Sequence, residues 1–235
     1  MKNIIETTIF LVRHGETHKG REIFWSRKPG RRLNQKGKEQ IEKTATYLSQ
    51  FPVTQIFHSP SKRTTESAEI IQKYIPQAEI LEVKNLWEWD QGFEGQKVEG
   101  KPFASFGPEI NEMYQKYPTK MIGGETLPDA IKRAIDFINK LLFLSKLKPQ
   151  LFSRGYSLNL DKKTEAADFS PWRTSFQYQE KFIVCVSHED VIRGVVLAMQ
   201  KENLDKLNSI PCVKGSIYKV VFRENRLISV DYILN

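Results

Sequence analysis

An unbroken apolar and β-branched run, Thr8-Ile9-Phe10-Leu11-Val12, stops at Arg13-His14-Gly15, and this edge constrains the fold more than any other stretch of the chain. Residues 8–12 hold too few polar positions for a strand with one wet face. They are expected to form a central strand covered on both sides, as in a parallel sheet. Arg13 and His14 then stand at its carboxyl end, the edge outside which open α/β sheets bind their ligands. Gly15 would let the backbone approach a bound group, and amides presented beside a guanidinium and an imidazole suit an anion such as phosphate. A lone Arg-His-Gly fits a polar strand end turning into solvent equally well. The device recurs, however, at Phe182-Ile183-Val184-Cys185-Val186-Ser187-His188, where a second apolar strand ends in a second histidine.

Between and around these two strands the pattern alternates. Leu33-Asn34-Gln35-Lys36-Gly37 is expected to lead into a helix running to about Ser49 with Ile41, Ala45 and Leu48 on one face, then come a short strand Gln55–His58 and a helix from about Lys62 to Tyr74. Arg63 falls in the first turn of that helix, where a cation opposes the helix dipole, so its placement points to a task other than helix stability. Glu79–Val83 reads as another strand, Leu86–Gly95 as an aromatic, acidic, glycine-punctuated loop, and Pro108–Tyr117 as a helix. Gly123-Gly124-Glu125-Thr126 turns the chain into a long helix with the stripe Ile131, Ile135, Ile138 and Leu142, closed at Pro149. Residues 147–180 show neither period and are expected to form an irregular insertion. After His188 come a helix from Asp190 to Met199 and two β-rich stretches, Ser216–Phe222 and Leu227–Leu234, joined by a turn at Arg223–Arg226. The order implies one domain over residues 1–235, a three-layer α/β/α sandwich on a mostly parallel sheet with an antiparallel C-terminal edge. Residues 91–125 would form a cap or loop region.

The chain has 235 residues, 40% of them hydrophobic, enough to bury a substantial core. Two cysteines, one inside an apolar strand and one after Pro211, do not make a disulfide framework. With no long apolar run and no leader-like N-terminus, a cytoplasmic protein without a membrane partner is expected. The net charge of +8 suggests an anionic partner. Its one dense cluster, Arg27-Lys28-Pro29-Gly30-Arg31-Arg32, reads as a solvated loop, a nucleic-acid patch, or a basic rim that steers anions toward Arg13-His14. Because the nucleic-acid reading rests on charge alone, no nucleic-acid partner is expected.

Arg13 with His14, Arg63, Glu88 and His188 thus fall at element ends or in a loop, and together they have the composition of a phosphoryl-transfer site. In-line displacement on a phosphate needs cations around the equatorial oxygens, a nucleophile on one side and a proton donor on the other. Paired histidines can also hold zinc or iron, but a guanidinium adjacent to His14 disfavours a metal. His18 and His58 read as ordinary surface or loop residues, although His58 falls at a strand end.

The residues resemble those of the histidine phosphatase superfamily, with its phosphoglycerate mutase-like fold. Arg13-His14-Gly15-Glu16-Thr17 resembles the family's leading motif, and Ser59-Pro60-Ser61-Lys62-Arg63-Thr64-Thr65-Glu66-Ser67-Ala68 its second-arginine segment. Leu86-Trp87-Glu88 through Gly95 resembles its acid loop, Gly123–Thr126 its glycine-glycine-glutamate turn, and Ser187-His188 with Arg193 its second-histidine motif. All five lie in the family's order across about residues 8–222. The resemblance implies that His14 is the nucleophile that becomes a phosphohistidine, that Arg13, Arg63 and His188 bind phosphoryl oxygens, and that Glu88 donates the proton, with no metal and no cofactor. The sequence departs from the family pattern at Gly20, where an asparagine is common, and at Glu189, where a glycine is common. The expected activity is a phosphatase on a phosphorylated small molecule or a phosphoprotein. The alternatives are mutase-type phosphoryl transfer, for which the longer acid loop is absent, and a non-catalytic phosphate or phosphoprotein-binding module, which would not need the acid. No feature of the sequence bears on oligomeric state.

Overall fold

The structure, a computed structural model, describes residues 4–18, 30–89, 125–147 and 178–234. Gly20, Arg27-Lys28-Pro29, Gly92–Gly95, the helix expected at 108–117, Gly123-Gly124, the cap at 91–124 and the insertion over 148–177 lie outside the described residues.

Six strands form one sheet: β1 (Ile4–Arg13), β2 (Val53–His58), β3 (Glu79–Glu82), β4 (Tyr178–Ser187), β5 (Ile217–Arg223) and β6 (Arg226–Ile233), in the order β3-β2-β4-β1-β5-β6. The first four in that order run parallel, β5 pairs antiparallel with β1, and β6 pairs antiparallel with β5. The helices are α1 (Gln35–Leu48), α2 (Lys62–Tyr74), α3 (Leu127–Leu147) and α4 (Glu189–Gln200). This is the expected α/β sandwich with its antiparallel edge.

Alternation along the central strands builds two cores. Phe10, Val12, Ile56, Val184 and Val186 face α1 and α2, packing on Ile41, Ala45, Leu48, Ala68 and Ile71. Ile9, Leu11, Phe57, Ile183 and Cys185 face the other way, onto Ile131, Ile138, Leu142, Val191 and Val195 of α3 and α4. A strand buried on both faces needs this near-continuous apolar sequence. The β5–β6 turn puts Glu224 and Asn225 at φ 51° and 64°, the paired left-handed residues of a tight hairpin.

The ladder also corrects two boundaries. β1 begins at Ile4, four residues before the apolar run, and β4 begins at Tyr178, inside the segment expected to be irregular. The two pair in parallel from Ile4↔Tyr178 to Arg13↔Ser187. Main-chain pairing carries Glu6, Thr7, Gln179 and Glu180 into the sheet where side-chain pattern does not announce it. Among the described residues no helix is long and apolar enough to cross a membrane. Cys185 and Cys212 are buried and unpaired.

The parallel register sets the site. Arg13↔Ser187 and His58↔Val186 are level partners, so β1, β4 and β2 end together and release their chains at one edge. β4 lies between β1 and β2, which makes this edge a point where the strand order reverses.

Candidate active site

His14 and His188 meet across the β1–β4 boundary with ring centroids 5.3 Å apart, both almost fully buried. His14 Nδ1 is 2.8 Å from the Gly15 carbonyl oxygen. A carbonyl can only accept, so Nδ1 carries the proton and Nε2 presents its lone pair. Arg63 Nε donates to that Nε2 over 3.1 Å and to His188 Nδ1 over 3.2 Å, while its NH2 group lies 3.0 Å from the same Nδ1. With Nδ1 accepting, His188 carries its proton on Nε2 and donates to Ser59 Oγ at 2.7 Å. Arg63 therefore sits between two neutral imidazoles of opposite tautomer, which explains a cation in the first turn of α2. Burial holds both histidines well below the ordinary imidazole value. For His14 the next causes are the charges of Lys214 and Arg63, and for His188 those of Arg63 and Lys214.

Glu88 follows a single helical turn, Lys84–Leu86, and its Oε2 lies 3.7 Å from His188 Nδ1. Its other oxygen accepts from the Trp89 amide at 3.0 Å. Burial, then the Asp190 carboxylate, push Glu88 up to about 7, against the opposing pull of Arg63. The acid segment is pinned from α3. Arg133 donates to the Asn85 carbonyl at 2.8 Å and the Glu88 carbonyl at 3.1 Å, and it grips Glu125 through Nε at 3.0 Å and NH2 at 2.6 Å. Ser187 Oγ adds a bond to the Leu86 carbonyl at 2.8 Å. Trp89 Nε1 donates to the Glu125 carbonyl at 2.6 Å.

Arg13 is turned aside. Its NH2 group pairs with Glu189 and its NH1 group donates to the Cys212 carbonyl, and Glu189 also pairs with Arg193 at 2.9 Å. Glu189, the departure from the family pattern, thus sets its carboxylate between Arg13 and Arg193, in the first turn of α4 where a negative charge suits the dipole. Arg13 Nε is buried and has no partner among the described residues.

Gly15 also has a packing use. A Cβ built there would lie 2.3 Å from the Gly37 carbonyl oxygen, and one on Gly37 would lie 2.0 Å from the Glu16 carbonyl oxygen. The two glycines let the turn after β1 pack directly on the start of α1. Asn34 fastens the joint by capping that helix at Gly37 N over 2.7 Å and donating to Glu16 Oε1 over 2.8 Å. His58 is buried, bonded at 2.9 Å to the Ser59 carbonyl, and shares no hydrogen bond with either site histidine. His18 is exposed.

The structure therefore brings His14, Arg63, Glu88 and His188 together, and Arg13, whose charge also acts on Glu88 and His188, pairs with Glu189. Sequence reading missed Arg133, Lys214, Asp190 and the bond from Ser59 to His188. Ser59 lay inside a quoted motif, whereas Arg133 and Lys214 carry no local signal. Among the described residues no group of three or more His, Cys, Asp or Glu side chains could hold a metal ion. Chemically, the cluster offers a neutral imidazole lone pair beside a guanidinium and a carboxyl group poised to titrate near neutrality.

Comparison with known proteins agrees with this architecture. The family model described as histidine phosphatase superfamily (branch 1) matches residues 9–148. The uncharacterized phosphatase PhoE of Bacillus subtilis is 31% identical over 136 residues, which are 57% of this chain and 64% of that relative. Among solved structures, Bacillus stearothermophilus YhfR superposes with a TM-score of 0.65 at 20% identity, covering 91% of this chain and 90% of the other. Mycobacterial glucosyl-3-phosphoglycerate phosphatase gives 0.66 at 15% identity, covering 92% and 90%. Phosphoserine phosphatase from Entamoeba histolytica, in complex with 3-phosphoglyceric acid, gives 0.62 at 18% identity, covering 96% of each chain.

Proposed function

The chain belongs to the histidine phosphatase superfamily, and from that premise we propose that it is a metal-independent phosphatase that hydrolyses a phosphomonoester through a phosphohistidine on His14. The observation that carries this reading is the tautomer of His14. Its Nδ1–H is held by the Gly15 carbonyl and its Nε2 lone pair faces Arg63, so the nucleophilic nitrogen is already paired with a cation suited to phosphoryl oxygens.

In the first step His14 Nε2 forms a bond to phosphorus, the ester P–O bond breaks, and the Glu88 carboxyl gives its proton to the departing oxygen, releasing the alcohol. Arg63 exchanges its contact with Nε2 for one to a phosphoryl oxygen, which stabilises the equatorial charge of the transition state. His188 turns from acceptor to donor at Nδ1 on taking up a proton, a change that an arriving dianion favours. In the second step water attacks phosphorus, the Glu88 carboxylate takes the water's proton, and the P–N bond breaks to return His14 and release inorganic phosphate. A carboxyl that titrates near 7 can serve in both directions at neutral pH. The partner is a phosphorylated small molecule or a phosphoprotein.

The test is turnover of a phosphomonoester panel with EDTA present, beside His14→Ala, with rapid quenching to trap the adduct. Expected are metal-independent hydrolysis, an acid-labile and alkali-stable phosphoryl label on wild type only, and no turnover in the variant. Label on another residue, or turnover that survives the substitution, refutes the assignment.

A further inference from the structure

Lys214 lies on the segment that leads into β5, and the backbone carries it to the end of β1. Arg13 N donates to the Ser216 carbonyl and Gly215 N donates to the Arg13 carbonyl, each over 3.1 Å. Gly215 sits at φ +80°, a left-handed turn that sets the direction of the chain on leaving Lys214. The side chain is half-buried and forms no hydrogen bond or ion pair among the described residues. An ammonium placed so is costly unless something arrives to meet it.

Its surroundings identify what that is. The groups that act on Lys214 are Arg13 from β1, Glu189 from α4, Arg63 from α2 and Glu88 from the acid segment, and its charge in turn acts on His14 and His188. The backbone thus sets Lys214 beside Arg13 at the end of β1, and its charge acts on the groups proposed above to handle phosphate. Meanwhile Arg13 shares its charge with Glu189. A phosphomonoester dianion entering the site would meet one guanidinium at Arg63 and a second already neutralised in part.

We propose that Lys214 is a substrate-contacting residue of this site, its ammonium binding a non-bridging oxygen of the phosphoryl group beside Arg63 and supplying the charge that Glu189 withdraws from Arg13. The inference rests on the phosphatase reading for its substrate. Burial, reinforced by Arg13 and Arg63, lowers Lys214 to about 8, and a bound anion restores the ammonium. Anion binding is therefore strong below pH 8 and weakens as the amine loses its proton above it.

The test uses tungstate, a phosphate mimic that stays dianionic across this range, titrated calorimetrically into wild type, Lys214→Met and Lys214→Arg from neutral to alkaline pH. Removing one charge-assisted bond to the anion should weaken tungstate at neutral pH about tenfold or more in the Met variant. The Arg variant should stay close to wild type at neutral pH. Wild-type affinity should fall above pH 8, while both variants should lack that break. In turnover, the Met variant should raise KM for a small aryl phosphate. Unchanged tungstate affinity in Lys214→Met, or a break above pH 8 that persists in it, overturns the proposal whatever the turnover results. Absence of any phosphatase activity in wild type would sink the functional reading, and the tungstate titration would still decide the role of Lys214. Cooperative unfolding of each variant establishes that a lost affinity is not a lost fold.

Discussion

Replacing Glu88 by Gln keeps the side chain's size and an acceptor for the Trp89 amide while removing the proton that the proposed first step requires. With Glu88 near 7, about half of the carboxyls hold a proton at neutral pH, against about one in 300 for an ordinary value of 4.5. Deleting a general acid costs ~10²–10⁴-fold, or about 3–5 kcal/mol of barrier. That loss should appear with an alkyl phosphate, whose leaving oxygen needs the proton, and be much smaller with an activated aryl phosphate. Wild-type kcat/KM on the alkyl ester, divided by that on the aryl ester, should fall about tenfold for each pH unit above about 7. The variant should show no such fall. The substitution moves stability the other way from activity. The folded pKa is raised, so the folded state binds the proton more tightly than the unfolded one, and Glu88's contribution is lost as pH rises from 4.5 through about 7. Above that, the half-buried carboxylate penalises the fold by at most about 3 kcal/mol, the equivalent of the rise from 4.5 to about 7. Gln is free of this term, so the variant should gain stability over wild type at pH 8 and not at pH 4 in urea unfolding. Equal rate losses on both esters, with no alkaline gain in stability, would falsify the assignment of Glu88 as the proton donor.

Arg63→Ala removes a positive charge that holds His14 down, so the imidazole pKa should rise and the acid limb of kcat/KM should move to higher pH; an unmoved limb would separate Arg63 from the nucleophile. Arg133→Ala should lower kcat on an alkyl phosphate by about 10²-fold with little change in KM, through misplacement of Glu88. In a Glu88→Gln background the same change should cost little more, and full additivity would show that Arg133 acts elsewhere. Gly15→Ala places a Cβ against the rigid backbone of Gly37 and should destabilise the fold by about 3 kcal/mol or more; an unchanged urea midpoint would contradict the close packing of that turn.

What the sequence determined by itself lies close to strand and helix ends, because there the deciding pattern is local. Apolar runs that stop at His14 and at His188 announce buried strands with polar ends, and the stripes Ile41-Ala45-Leu48 and Ile131-Ile138-Leu142 mark helix faces that do pack on the sheet. Arg63's poor fit to a helix N-terminus was likewise readable as a task other than helix stability, and the structure sets its guanidinium against both imidazoles. Tertiary structure alone decided which residues complete the site. Lys214 reaches Arg13 only because β5 pairs antiparallel with β1, and Arg133 reaches the acid segment across 45 residues of sequence because α3 packs beneath it. Glu189 stood in the sequence only as a departure from the family pattern, and α4's position sets it between Arg13 and Arg193. That Gly15 must also lack a Cβ to let α1 pack against the turn was settled only by the fold. Side-chain pattern encodes which face of an element is buried. Strand order and register then determine which distant charges come to share that buried edge.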